Sequence, residues 1–375
     1  MHTQSRLRLA TQFAWRHRWA PIVLALLLNS TTTVLVLRFH ELTDFAAFHA
    51  SGRAALQGHN PFCATSSTGL PNMNPPVILP VLAHLATLEL ASSIAIWRAA
   101  SLAIYAATSL WLLKMSGLSI LSLRFLWLFS ISSFWFTIAL GQIYVLLLPI
   151  VVAALALDRN SDALASGFFI GVLVAAKPNF ALWPLALLLA GHTKVAFAAG
   201  ITALLLWALP LPVYGFRIYQ QWLSAATASG ALVAFPNNVS LPGVASHLGL
   251  PKTGWVLSAA AVALLLAWVL ARHPDSAAIA PVAMVASLLA SPIGWNNYAL
   301  LLVPFLLKRV WSWRLRISGL LMLTPFILNP SLAPYPIVLD FIGIAPLLLL
   351  VAEEVLYPRH GGCKAQPRAS TGESC

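Results

Sequence analysis

The sequence predicts an all-α polytopic membrane protein: a bundle of about twelve transmembrane helices, with two interfacial helices in the first external loop. Hydrophobic residues make up 59% of the 375 residues, charged residues only 9%, and the mean hydropathy is +0.83. Apolar runs near the length that crosses a bilayer as a helix recur along the chain. In lipid, backbone N–H and C=O groups must hydrogen-bond to one another, which leaves helices or closed β-barrels. These runs lack the alternation of apolar and polar residues that marks barrel strands, so helices are predicted. The composition excludes a soluble globular domain.

The first predicted span, residues 19–37, follows a basic N-terminal stretch that contains Arg6, Arg8, Arg16 and Arg18. This arrangement resembles a secretory signal peptide. No small-residue cleavage site follows the apolar run, so we expect an uncleaved first span with a cytoplasmic N-terminus at residues 1–18.

The next apolar segment, residues 75–88, decides the topology. Counted as a span, it would place nearly every downstream basic loop outside, against the positive-inside rule. The segment is short, begins with two prolines and carries Pro80 and His84. We therefore expect a short interfacial helix here, after a first one that begins at Asp44 and ends before Gly58.

This assignment gives twelve predicted spans, with sixteen of the 22 Lys and Arg residues on the cytoplasmic side and five on the far side. A single transmembrane domain would cover residues 19–352, with long external loops at 38–90 and 215–252. Residues 353–375 would form a disordered cytoplasmic tail. The net charge is +12, and the basic residues that produce it are scattered singly between spans. This distribution fits the positive-inside rule for membrane proteins and not nucleic-acid binding. The spans are 19–37, 91–113, 124–140, 143–157, 163–176, 180–191, 195–214, 253–271, 277–291, 297–307, 317–328 and 337–352.

Asp44 is the first candidate catalytic residue, since only ten residues of the chain are acidic. It stands with Glu41 where the chain first emerges on the far side, at the start of an amphipathic helix pattern. Two alternatives remain open from position alone. In the first, Asp44 only caps that helix, whose dipole favours a carboxylate; in the second, Asp44 joins His40 in a metal site, for which the ligand spacing is a weak signal.

Other polar residues are predicted at the same far side. Gln142 follows Gly141 at a turn and offers an amide, and Lys177 places a cation where the charge bias disfavours one, which suits a phosphate or a lipid headgroup. Two polar segments, 236–240 and 291–298, offer amides, a hydroxyl and an aromatic ring for a sugar, or plain turns and an interfacial tryptophan. Because all of these clusters share one side, the sequence predicts one active site facing away from the cytoplasm.

The order of motifs resembles glycosyltransferase family 87, the polyprenyl-phosphate-mannose-dependent α-1,2-mannosyltransferase-like proteins, over roughly residues 20 to 350. This chain departs from the family's pattern at three places. Phe48 and His49 stand where the family often has tyrosines, and Asn74 stands where it commonly has an aromatic residue. Residues 296–298 are Asn-Asn-Tyr, where the family frequently has histidines. The residues that carry the resemblance are Asp44-Phe45, Gly58, Asn60-Pro61-Phe62, Pro75-Pro76, Gly141-Gln142, Ala165-Ser-Gly167, Gly171, Ala176-Lys177-Pro178, Asn238-Val-Ser240 and Ser291-Pro292-Ile-Gly-Trp295.

The resemblance implies a GT-C-like membrane enzyme that moves a sugar from a polyprenyl-phosphate donor to an extracytoplasmic acceptor hydroxyl, on a glycolipid or glycan, with inversion. Asp44 would be the general base, and Lys177 or Arg217 would stabilise the leaving phosphate. No cofactor or metal would be needed. The predicted substrate-binding residues are Glu41, His49, Gln142, Lys177, Arg217, Asn237, Asn238, Ser240, Trp295, Asn296 and Asn297.

Two other classes of protein stay open. A transporter or flippase of lipid-linked sugars would use the same kind of bundle and the same amphiphilic substrate, although we find no inverted repeat of the kind that marks many transporters. A membrane partner without enzymatic activity is the other class. The three cysteines, Cys63, Cys363 and Cys375, have no metal-ligand spacing and indicate no cysteine chemistry.

Overall fold

A computed structural model describes residues 19–39, 43–65, 69, 71–235, 238–307, 311–324 and 336–356. The described residues are helical throughout their regular structure, and two isolated bridges, Thr65 with Pro71 and Asn238 with Trp295, are their only strand-like pairs. This confirms the predicted all-helical class. The basic N-terminus at 1–18 and the tail from 357 onward lie outside the described residues.

The first third of the chain alternates long and short helices. The 3₁₀ turn Pro76–Ile78 and helix α3 occupy the segment predicted to be interfacial, and α2 occupies the one before it. Their position relative to a membrane surface stays a prediction. The helices are α1 (Ala20–Phe39), α2 (Thr43–Leu56), α3 (Leu79–Leu85), α4 (Leu90–Ser116), α5 (Leu123–Leu128) and α6 (Ser132–Leu140).

The middle third begins with three helices that pack closely and ends with the second long loop. Gly167 and Gly171 let the backbones of the helices starting at 163 and 193 touch, because a Cβ at either glycine would lie within 2.6 Å of atoms across the interface. The helices are α7 (Tyr144–Arg159), α8 (Ala163–Ala176), α9 (Leu182–Leu189), α10 (Thr193–Ala208), α11 (Leu211–Tyr214), α12 (Arg217–Ala228) and α13 (Leu241–His247). The 3₁₀ turns Pro178–Ala181 and Ser229–Ala234 complete this part.

The last third holds α14 (Pro251–Arg272), α15 (Ser276–Ala290), the 3₁₀ helix Asn296–Leu302, α16 (Val303–Leu307), α17 (Trp313–Leu321) and α18 (Pro336–Leu356). Each of the twelve predicted spans therefore contains a helix. Four helical segments are long and apolar enough to cross a membrane, namely Leu90–Ser116, Leu123–Leu140, Thr193–Tyr214 and Pro251–Arg272. The full count of twelve spans stays a prediction.

The core sits around α7, α15 and the segment from Asn296 to Leu307. Every residue of α15 from Ile279 to Leu289 is buried, whereas α14 has only four buried residues. Helices that are apolar on all sides belong in the centre of such a bundle, and those with one buried stripe belong at its edge. The peripheral helices α4, α10 and α14 belong to three of the four segments that are long and apolar enough to cross a membrane.

A buried pair of side chains ties the second long loop to the last helix. Nδ1 of His247, in α13, lies 2.9 Å from both carboxylate oxygens of Asp340, in α18, and Nε2 lies 3.2 Å from the carbonyl oxygen of Phe235. Both side chains are 4% exposed. Both ring nitrogens of His247 therefore face oxygen atoms, those of Asp340 on one side and that of Phe235 on the other.

Candidate functional site

The helix that carries Asp44 is held by close backbone packing. Asp44 is the second residue of α2, and Gly52 two turns later lies so near α3 that a Cβ would come within 2.3 Å of the Leu82 carbonyl oxygen. Phe45 packs its ring on Trp97 of α4, with 5.0 Å between ring centres. The first turn of α2 is thereby fixed against two other helices, and the carboxylate with it.

Asp44 meets Gln142, 98 residues later in the chain. Gln142 donates a hydrogen bond from Nε2 to Oδ2 of Asp44, over 2.6 Å. Gly141 ends α6 with a φ of 72°, a left-handed conformation that favours glycine, and this turn presents Gln142 to the site. The other amide atom, Oε1, is buried and accepts no hydrogen bond from the described residues. An orphan acceptor beside the carboxylate is available to a substrate hydroxyl.

Lys177 reaches the same site from the end of α8. Pro178 prevents the helix from continuing, and Lys177 leaves it in an extended conformation, with φ −143° and ψ 89°. Its Nζ lies 5.1 Å from the ring centre of Tyr144 and 5.4 Å from that of Tyr298. The two tyrosine rings are 4.3 Å apart, so together they form an aromatic seat for the ammonium group.

The electrostatic balance at Asp44 favours a proton acceptor. Burial raises the pKa of its carboxyl to about 6, against the hydrogen bond from Gln142 and the charge of Lys177, which both lower it. A base whose pKa lies near the working pH combines a large ionised fraction with a useful affinity for a proton. Asp44 lies within α2, and its carboxylate accepts a hydrogen bond from Gln142, which lies between α6 and α7. The contacts of Asp44 therefore go beyond those of a helix cap.

Asn238 and Ser240 support the site by holding two loops together. Asn238 is fully buried; its Nδ2 donates to the carbonyl oxygens of Val233 and Pro292, and its Oδ1 accepts from the backbone N–H of Ser240 and Gly294. The Ser240 hydroxyl accepts from the N–H of Gly243 at the start of α13. The side chains of Asn238 and Ser240 thus form their hydrogen bonds with other atoms of the protein. Both residues therefore shape the loops, and their predicted contact with substrate stays untested.

The segment after Gly294 has three different environments. Trp295 is half-buried and packs edge-to-face on Phe235, with ring centres 5.5 Å apart. Asn296 faces α18 and lines a small cavity of about 40 Å³ beside Gly343. Asn297 is fully buried, and neither atom of its amide has a hydrogen-bond partner among the described residues. Buried amides without partners are rare, so Asn297 stays a candidate for binding water or a ligand.

The remaining predicted residues lie elsewhere. His49 is buried, and its Nε2 lies 3.0 Å from the carbonyl oxygen of Leu88, so it ties α2 to the loop before α4. Arg217 begins α12 and lines a separate groove. Glu41 and Asn237 lie outside the described residues, as does His40 of the metal alternative. Among the residues that are described, no three His, Cys, Asp or Glu side chains form a group suited to a metal ion.

Tyr144 and Tyr298 join the site without having been among the predicted binding residues. Asn179 follows Lys177 by two positions and carries a buried amide nitrogen with no partner among the described residues. Tyr144 follows Gln142 by two positions. Proximity in sequence to residues already singled out was the available signal, but an apolar run hides Tyr144 as an ordinary core residue.

Comparison with known proteins assigns the chain to a family. The family model described as Glycosyltransferase family 87 matches residues 72–292, which is more than half of the chain. The match covers Gln142, Tyr144 and Lys177, begins after Asp44 and ends before Trp295. No curated protein and no solved structure matches the chain. The family match confirms the resemblance carried by the sequence motifs: the chain belongs to glycosyltransferase family 87.

Proposed function

We propose that this protein transfers a hexose, with mannose as the expected sugar, from a polyprenyl-phosphate donor to a hydroxyl of a glycolipid or glycan acceptor outside the cytoplasm. Membership of a glycosyltransferase family supports sugar transfer. The observation that carries the mechanism is the convergence of Asp44, Gln142 and Lys177 from three separate segments. The membrane-length helices support a lipid-linked donor, whose polyprenyl chain lies in the bilayer.

In this scheme Asp44 removes the proton from the acceptor hydroxyl as its oxygen attacks the anomeric carbon. The new bond joins the acceptor oxygen to that carbon, while the bond from the carbon to the phosphate oxygen breaks. Polyprenyl phosphate leaves with the bonding electron pair, and the ammonium of Lys177 stabilises the negative charge that develops on it. The proton ends on a carboxylate oxygen of Asp44.

The single displacement inverts the configuration of the anomeric carbon. A double displacement with retention needs a nucleophile on the enzyme beside the acid or base. No carboxylate of the described residues contributes to the pKa of Asp44, whose perturbing partners are Gln142 and Lys177. Among the described residues, one carboxylate beside one cation therefore favours inversion. No metal ion enters this scheme.

The orientation follows from the same proposal. With both termini in the cytoplasm, α2 and the turns at Gln142 and Lys177 lie on the far side of the cell membrane, where polyprenyl-linked sugars are consumed. The single transmembrane domain at 19–352, its loops at 38–90 and 215–252, and the cytoplasmic segments at 1–18 and 353–375 are parts of this proposal.

Release of free polyprenyl phosphate by the purified protein tests the proposal. Labelled polyprenyl-phosphate mannose and a crude glycolipid acceptor are supplied to the detergent-solubilised protein, and the wild type is expected to release polyprenyl phosphate while labelling the acceptor. Asp44→Asn should lower this rate by about 10²–10⁴-fold, the usual contribution of a general base. Glu89→Gln is the matched control, because Glu89 is an exposed carboxylate without a side-chain capping bond at the start of α4.

Two results would overturn the proposal. Near-wild-type transfer by Asp44→Asn would remove Asp44 from the mechanism. Movement of the lipid-linked sugar across vesicle membranes without release of polyprenyl phosphate would make the protein a flippase.

A further inference from the structure

A groove with several polar side chains in its lining lies apart from the Asp44 site, between α12 and the loop that follows α2. Its volume is about 530 Å³, within the range of small-molecule binding sites. Asn60, Cys63 and Pro71 line one wall, and Arg217, Gln220 and Gln221 line the other. The groove contains Arg217, which the sequence had offered as a partner of the leaving phosphate, and none of the three residues that meet at Asp44.

The groove wall is one face of an amphipathic helix. Ile218 and Trp222 of α12 point into a small apolar cluster with Phe62 and Leu79. Gln220 and Gln221 each lie three or four residues from both Arg217 and Ser224, so the four side chains share another face, which is the face that lines the groove. None of these four side chains bonds another residue in the described part of the chain. The polar groups of this face are therefore available to a ligand.

The chemistry of this face suits a carbohydrate. Two glutamine amides and a serine hydroxyl each offer donors and acceptors, which sugar hydroxyls require, and Arg217 adds a planar set of donors. A phosphate group or an anionic lipid headgroup would call instead for several cations or donors alone. Arg217 is the single charged residue among those that line the groove.

The groove is connected to the helix that carries the proposed base. Trp222 of α12 donates from Nε1 to the Met73 carbonyl oxygen over 3.0 Å, and Asn72 donates from Nδ2 to the Ser51 hydroxyl over 3.0 Å. Ser51 follows Asp44 by seven residues on α2. This spacing places both on one face of the helix, about 10 Å apart along its axis. Asn72 and Ser51 are both fully buried, so these contacts hold the groove wall against the helix that carries Asp44.

The groove also sits beside an apolar boundary. The segment Thr193–Tyr214 is long and apolar enough to cross a membrane, and α12 begins three residues after it ends. Val213, Phe216 and Leu223 are exposed around this junction, at 73%, 69% and 57% of their full accessible areas. Such a junction places α12 at a membrane–water boundary, where the glycan part of a lipid-anchored or surface acceptor stands.

We propose that this groove binds the acceptor glycan at a distance from the reacting hydroxyl, and that the acceptor is therefore an oligosaccharide chain of several residues. The inference rests on the proposed function for the identification of the bound glycan as the acceptor. Binding in the groove itself does not require transfer, so the two proposals fail separately.

Cys63 allows a direct test, because it is an exposed free thiol that lines the groove. Full-length protein carrying Cys363→Ser and Cys375→Ser keeps Cys63 as its only thiol, and Asp44→Asn in the same protein prevents turnover. The rate of Cys63 alkylation by N-ethylmaleimide is measured with mannose, with linear oligosaccharides of mannose, glucose and galactose, and with inorganic phosphate. At ten times its dissociation constant, a bound oligosaccharide should slow alkylation by roughly tenfold.

We expect at least one oligosaccharide to protect Cys63 and the monosaccharide to protect it far less. The double variant Gln220→Ala, Gln221→Ala should lose this protection, whereas Thr227→Ala, an exposed change on the same helix, should keep it. The proposal is overturned if no oligosaccharide protects the thiol, if inorganic phosphate protects it equally, or if the double variant stays protected. A transfer-active protein without glycan protection would remove the groove and leave the proposed function standing.

Discussion

Lys177 stabilises the ionised carboxylate of Asp44, and burial of that carboxylate outweighs the stabilisation. The result is a pKa of about 6, between that of an exposed aspartate and that of a carboxyl buried without a counter-charge. Gln142 acts in the same direction as Lys177, through its hydrogen bond to Oδ2. The proton affinity of the proposed base is therefore adjustable through two identified neighbours.

The pH dependence of transfer follows from this balance. Only the ionised carboxylate accepts a proton, so kcat/KM should rise with pH and level off above about 6. One pH unit below that point the rate should be roughly tenfold lower than its plateau, for a single titrating base. Initial rates measured across the acidic range check the inflection, and a flat profile would contradict the assignment of Asp44.

Lys177→Met should change both the rate and the pH profile. Loss of the cation removes the stabilisation of the leaving phosphate, and we expect a fall in kcat of about 10²–10³-fold, comparable with the loss of one oxyanion-stabilising group. The inflection should also move to higher pH, since Lys177 lowers the pKa of Asp44. Lys252→Met, an exposed lysine on the predicted far side, serves as the control. An unchanged inflection in Lys177→Met would separate Lys177 from Asp44.

Asp44→Asn should raise the thermal stability of the protein at neutral pH while it slows transfer. The folded-state pKa lies above the unfolded value of 3.8, so the protonated carboxyl stabilises the fold below that value. This contribution is lost as pH rises through about 6, where the ionised form predominates and burial penalises it. The apparent melting temperature in detergent should exceed that of the wild type at pH 7.5, and the difference should vanish near pH 4. A lower melting temperature at pH 7.5 would contradict this balance.

Asn238→Ala should destabilise the protein without altering the chemistry of the remaining folded molecules. The change leaves two carbonyl oxygens and two backbone N–H groups without their partner. Each buried polar group left unpaired costs about 1–3 kcal/mol, so a clear drop in the melting temperature is expected. Asn160→Ala, an exposed change at the end of α7, should leave it unchanged. If Asn238→Ala melted like the wild type but raised the KM, Asn238 would be a substrate ligand.

The positions of the helices were predictable because apolar runs, prolines and glycines define them locally. All twelve predicted spans contain helices, and Gly141 and Pro178 end α6 and α8 beside the predicted site residues. What local pattern could not provide is the depth of each helix in the bundle. Whether α15 is central and α14 peripheral depends on packing between segments far apart in the chain.

The candidate site was predictable only as a set of residues on one side. Lys177 and Arg217 looked equivalent in sequence, as two cations against the charge bias, and packing alone brings one to Asp44 and the other to a distant groove. Asn238 and Ser240 show why the role of a polar residue at a turn could not be predicted. Amides and hydroxyls at turns serve equally as ligands and as internal braces, and the structure occupies both with internal hydrogen bonds.

The buried contact between His247 and Asp340 bears on how the orientation of this chain is determined in practice. Topology is commonly mapped by fusing reporters to progressively shortened chains. Every such chain that ends before residue 340 lacks Asp340, and therefore leaves the imidazole of His247 in α13 without its counter-charge. Reporters fused to shortened chains would then report the topology of an altered second loop. Reporters inserted into the intact chain, or single thiols labelled within it, preserve the contact and describe the native arrangement.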